Sequence, residues 1–109
     1  MAYDGDLANR IREVVAGEPA VTEKRMFGGL AFLVNGNLAV SASGRGGLLL
    51  RVDPAETAAL VADAHAERAV MGGRVMDGWL RVDVDALPDD EVEGWITRGI
   101  AYAATLPVR

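Results

Sequence analysis

Ten of the eleven basic residues in this 109-residue chain are arginine. Its cationic chemistry is therefore that of planar guanidinium forks, which match carboxylates and other anions in a bidentate way. Arg25 and Arg51 each adjoin apolar, strand-like residues, so each fork could be held beside a sheet and offered to an anion or to a partner's carboxylate. The competing reading is an internal salt bridge, to Glu23 or Asp53, with the stem lying along the sheet. Arg74 and Arg81 share an expected strand face with Met76 and Trp79. A tryptophan beside arginines is the composition of an interface hot spot, and burial of Trp79 under a loop or the chain's own terminus is the alternative.

The glycine runs Gly28-Gly29 and Ser43-Gly44-Arg45-Gly46-Gly47 raise the question of a phosphate cradle. Neither carries the Lys-Ser/Thr pair of a P-loop and neither opens an evident helix, so turn and bulge geometry is the expected reason for them. His65 is the single histidine and cysteine is absent. A zinc site would have to be mostly carboxylate, so capping or solvent exposure near a helix end is expected for His65. Asp83, Asp85, Asp89, Asp90, Glu91 and Glu93 are dense but lack calcium-loop spacing, and helix capping and a solvated strand face account for them. Ser41 and Ser43 lack the glycine frame of a nucleophile elbow, and Lys24 is the only lysine. The chain therefore reads as a non-enzyme, with no catalytic residue, metal ligand or cofactor expected.

Charge is distributed unevenly. Through Val52 there are six basic and five acidic residues, and from Asp53 onward five basic and eleven acidic. No basic stripe of the kind that neutralises phosphates is visible, so direct nucleic-acid binding is disfavoured. The first residues lack the basic and apolar regions of a signal peptide, and no apolar run approaches the ~18 residues of a membrane span. Cytoplasm is the expected compartment. With half of its residues apolar, a chain of this length can bury a core without staples, and residues 1–109 are expected to form one domain.

The elements that must position these residues follow from periodicity. Leu7, Ile11, Val14 and Val15 make one apolar stripe, predicting a helix from about Asp4 to Ala16, capped by Asp4 or Asp6 and ended at Gly17. Val21 to Phe27 reads as an extended segment, and Gly28-Gly29 as the bend that follows it. Asn35-Gly36 between Leu30–Val34 and Asn37–Ser41 predicts a two-residue hairpin with a type I′ turn. Strict alternation from that turn puts Ala31, Leu33, Leu38 and Val40 on one wholly apolar face, expected to meet the helices, and Leu30, Phe32 and Val34 on the other. Phe32 then needs a cover of its own.

Leu48–Val52 reads as a further strand, and Asp53-Pro54-Ala55-Glu56 as a capped helix start, with that helix fraying near His65 to Glu67. A second hairpin is expected around Asp77-Gly78, placing Arg74 opposite Arg81. The last helix is predicted over Asp90–Thr105, with Asp90 and Glu93 as its cap pair. Val92, Trp95, Ile96, Gly99, Ala103 and Leu106 form its inner stripe, with Trp95 in the core. The order α-β-β-β-β-α-β-β-α predicts an α+β, two-layer domain: a single antiparallel sheet with helices packed on one face.

This order, with Arg25-Met26-Phe27-Gly28-Gly29, Phe32, the Asn35-Gly36 turn and Leu50-Arg51-Val52-Asp53, resembles the N-terminal domain of the TfoX/Sxy family. Met71-Gly72-Gly73-Arg74 and the Gly94-Trp95 helix extend the likeness nearly to the C-terminus. The resemblance implies a bacterial accessory regulator with a secretion-chaperone-like α+β fold, and it brings no catalytic residues. Longer family members carry a second, helical domain, and the sequence ending at Arg109 is expected to be the N-terminal type standing alone. Two functions compete. The first is a regulatory or adaptor domain acting through protein–protein contact, as a homodimer, in transcriptional or competence-related regulation. The second is a small-ligand or anion-binding module using Arg25, Arg51 and the glycine-rich turns. The candidate interaction residues are Arg25, Phe27, Gly28, Gly29, Phe32, Arg51, Arg74, Trp79 and Arg81.

Overall fold

Asp4 begins the first helix. Its carboxylate accepts from the backbone N–H groups of Asp6 and Leu7, satisfying donors that helix geometry leaves unpaired. Helix α1 then runs Gly5–Val14 with Leu7, Ala8 and Ile11 buried. In the computed structural model of the chain, which describes residues 3–26, 28–63 and 65–109, four strands follow: β1 (Val21–Met26), β2 (Gly29–Val34), β3 (Asn37–Ala42) and β4 (Leu48–Arg51). A 3-10 turn, Pro54–Glu56, leads into the short helix α2 (Thr57–Leu60), then β5 (Ala66–Met71), β6 (Arg74–Val82) and helix α3 (Asp89–Ala104). The strands form one antiparallel sheet in the order β1-β2-β3-β4-β6-β5. The expected α+β order holds.

The Asn35-Gly36 turn is present, with both residues at positive φ (51° and 83°). The faces, however, are the reverse of strict alternation. The β2–β3 register shifts between Phe32 and Leu33, so that Leu33 opposes Leu38 while Phe32 opposes Val40. Ala39 is the extra residue, and Ala39 and Val40 both turn inward and are fully buried. This β-bulge exchanges the two sides of β3 beyond the turn. Leu30, Phe32, Val40, Ala42, Leu48 and Leu50 therefore meet Leu7, Ile11, Val92 and Ile96 in the core. Ala31, Leu33, Leu38, Ser41 and Leu49 lie on the side away from the helices. Phe32 needs no separate cover: it is at the centre of the helix–sheet interface, with no exposed surface.

The later hairpin also differs from the sequence expectation. The segment expected to fray, His65 to Glu67, leads instead into β5, and the turn falls at Gly72-Gly73, where Met71 pairs with Arg74. Asp77-Gly78 lies within β6, at an irregularity where pairing jumps from Ala69–Met76 to Arg68–Leu80. Tertiary contacts select this outcome over a turn. The Gly78 N–H donates to Thr57 Oγ1 at 2.8 Å, its carbonyl accepts from the Val52 N–H at 2.9 Å, and Arg68 pairs with Asp77 at 2.7 Å. The expected Arg74–Arg81 contact does not form, because Arg81 opposes Glu67 and Leu49.

Helix α3 is preceded by Pro88 rather than a side-chain cap, and Asp89, Asp90 and Glu91 occupy its first turn, where carboxylates favour the helix dipole. Val92, Ile96, Gly99 and Ala103 are buried, whereas Trp95 is only half-buried, under the Arg98 guanidinium. At the other edge of the sheet, Glu23 of β1 forms a two-pronged bond with Arg12 of α1 at 2.8 and 2.9 Å. That bond holds the Glu23 carboxyl below its usual range and raises Arg12.

Candidate functional site

The side of the sheet away from the helices mixes apolar and charged residues. Cross-strand partners place Lys24, Ala31, Ser41, Leu49, Arg81 and Glu67 in one row across it. Arg51 and Trp79 are paired in the next register position, and the Arg51 guanidinium lies 5.1 Å from the Trp79 ring centroid. Such stacking is worth about 0.5–1 kcal/mol at a partly exposed site.

Over this face sits a cavity of about 230 Å³, lined on the sheet side by Ala31, Leu38, Ser41 and Leu49. Val70 and Gly72 line it too, although β5 is five strands from β1 in the sheet order. The outer end of the β5–β6 hairpin therefore folds back over the open face, with the Asp77-Gly78 irregularity as its bend. Val70 and Val75 oppose each other near the tip of that hairpin and are 55% and 65% exposed.

The rest of the cavity wall comes from the loop between β3 and β4. Ser43 Oγ accepts from the Arg45 N–H at 3.2 Å and from Arg81 Nη1 at 2.9 Å, and the same Nη1 donates to the Gly46 carbonyl at 3.0 Å. Arg81 is thereby fixed on the rim. The loop is held in turn by backbone contact with the β1–β2 bend: a methyl group on Gly44 would lie 2.5 Å from the Gly28 carbonyl oxygen, and one on Gly29 would lie 2.5 Å from that of Ala42. Close approach, together with the positive φ of Gly28, explains these glycines.

Of the residues singled out from sequence, Gly29 and Arg81 line the cavity, Gly28 supports its loop, and Arg51 and Trp79 pair beside it. Arg25 is exposed on edge strand β1 and opposes Leu30, which places it on the helix side, so it does not join Arg51. Neither arginine forms the salt bridge weighed for it among the described residues. Phe32 is core, Arg74 is exposed at the Gly72-Gly73 turn, and Phe27 lies outside the described residues. Arg45, Leu49 and Val70 were not singled out. The glycine-rich loop was the available signal for Arg45.

Both serines near the cavity have structural partners, with Ser41 Oγ donating to the Leu30 carbonyl at 3.1 Å. No group of three or more His, Cys, Asp or Glu among the described residues could hold a metal ion. No described helix is long and apolar enough to cross a membrane.

The model of the family described as "TfoX N-terminal domain" matches residues 13–103, which span every strand, α2, nearly all of α3 and the whole cavity lining. No curated protein and no solved structure matches the chain. The match covers most of the sequence, and the chain belongs to the TfoX N-terminal domain family.

Proposed function

We propose that this chain is a non-enzymatic regulatory or adaptor domain that binds a protein partner across the open face of its sheet. The observation that carries the reading is the exposed Val70–Val75 pair on the hairpin that overhangs the side of the sheet away from the helices. Single exposed valines are ordinary. Two facing each other at the lip of a cavity form a continuous apolar patch, and such patches mark interaction sites. Family membership supports the regulatory setting, in transcriptional or competence-related control. The occupied hydroxyls of Ser41 and Ser43 support a non-enzymatic role.

The test is affinity capture from the source cells with the wild-type chain and Val70→Ser/Val75→Ser side by side. A partner held by the wild type and lost by the variant, with unchanged circular dichroism, is the expected result. Identical captured proteins would refute this surface. A second copy of the chain is the simplest occupant of such a patch, and light scattering checks it: a monomer at micromolar concentration rules out the homodimer.

A further inference from the structure

We infer that the cavity between the Ser43–Gly47 loop and the β5–β6 hairpin binds a small monocarboxylate with an apolar body. The site goes beyond the partner-binding reading and does not depend on it.

Its floor and walls are Ala31, Leu38, Leu49, Met26 and Val70, and the charged residues lining it are Arg45 and Arg81. Arg10, Arg12, Arg68 and Arg98 pair with a carboxylate, and Arg25, Arg51, Arg74 and Arg109 do not among the described residues but lie outside the cavity lining. Arg45 and Arg81 have no carboxylate partner among the described residues, in a chain of sixteen acids and net charge −5. Arg81 is also pre-organised. Its Nη1 is held by Ser43 and Gly46, while Nε and Nη2 have no hydrogen-bond partner among the described residues. A fixed fork loses little freedom on accepting a carboxylate.

The surroundings limit the ligand's charge. Glu67, Asp83 and Asp85 line the adjoining depression on the far side of Arg45 and Arg81. A polyphosphate or nucleic-acid backbone reaching across the arginines would meet those acids, whereas a single carboxylate can stay on the cavity side. The volume limits its size. A cavity of about 150 Å³ accepts benzene, so 230 Å³ suits a body of roughly nine heavy atoms by the same scale.

The test is a titration followed by amide chemical shifts, using phenylacetate and hexanoate as probes. Phenylacetamide, inorganic phosphate and a short peptide ending in a free phenylalanine carboxylate are the comparisons. Saturable shifts at Ala31, Ser41, Ser43, Leu49 and Arg81 are expected with a Kd of about 1 mM, the range open to so few atoms. Loss of the charged hydrogen bonds should weaken phenylacetamide, and phenylacetate binding to Arg81→Gln, by about tenfold. Arg45→Gln, an exposed change that leaves the Ser43 contacts intact, should weaken phenylacetate severalfold. The proposal is overturned if neither acid gives saturable shifts by about 10 mM, or if phenylacetamide or phosphate binds as well as the acids. Binding of the peptide alone would transfer the cavity to a partner's carboxyl terminus and equally overturn it. None of these outcomes depends on the capture experiment with the Val70 and Val75 variant.

Discussion

Gly99 and Gly94 lie on one helix and should respond oppositely to the same substitution. In an exposed helix interior, alanine is favoured over glycine by about 1 kcal/mol. Nothing lies within 4 Å of a methyl group placed on Gly94, so Gly94→Ala should gain most of that. A methyl on Gly99 would fall 2.5 Å from Val40 Cγ1, 3.0 Å from the Ala39 carbonyl oxygen and 3.3 Å from Leu50 Cβ. Val40 and Leu50 have no exposed surface, so α3 must lift from the bulge or Val40 must leave its rotamer. Overpacking of this kind costs about 1–3 kcal/mol. The same propensity gain offsets part of it, leaving a net loss of about 1 kcal/mol. The two variants should therefore differ by about 2 kcal/mol in urea unfolding, read as midpoints with unchanged slopes. Gly99→Ala proving as stabilising as Gly94→Ala would show that the helix does not rest on the bulge as described.

Thr57→Val should cost about 1–3 kcal/mol by stranding the Gly78 N–H, whereas Thr57→Ser should recover most of it; equal stabilities in thermal unfolding would contradict the anchoring role of the hydroxyl. For Glu23 the sign follows from its lowered pKa. The stabilisation is present above the carboxyl's unfolded value and is lost as pH falls through the folded one. Glu23→Gln should thus be less stable than wild type at pH 7, and the difference in urea midpoints should shrink as the pH falls below about 4.3, the ordinary glutamate value. Arg51→Ala should lose about 0.5 kcal/mol when Trp79 is present and nothing in a Trp79→Leu background. A coupling energy near zero in that double-mutant cycle would remove the stacking.

Much of the architecture could be read from local pattern. The stripe Leu7-Ile11-Val15, the cap at Asp4, Pro54 at a helix start and the Asn35-Gly36 turn each act within a few residues, and each is realised. What escaped was non-local. Asn35-Gly36 and Asp77-Gly78 carry the same turn signature, but only the second meets Thr57, Val52 and Pro54, and those contacts make it a bend within a strand. The bulge at Ala39 has no compositional mark, since leucine, alanine and valine suit either face. Both faces of β2 are apolar, so hydrophobicity could not reveal the inversion. The candidate site was half legible: Arg81 stood out beside Trp79, but Arg45 enters only because Gly44 packs against Gly28, a contact between segments far apart in sequence.

The extra residue at Ala39 has a consequence for changes in chain length. Between Asn37 and Leu38 the even-numbered residue looks outward, and from Val40 onward it looks inward, so Ala39 is the point where the strand's parity changes. Deleting Ala39 would restore a regular ladder. The Asn37 side chain is tied to the Pro107 carbonyl at 2.8 Å, so the turn end would keep its place, and Val40, Ser41 and Ala42 would keep Phe32, Ala31 and Leu30 as their partners. Val40 would then follow Leu38 directly, still opposite Phe32 and still in the core, with Ser41 still on the outer side. A loss of one residue, which in a regular strand would turn every later side chain over, would here leave both faces of the sheet as they are.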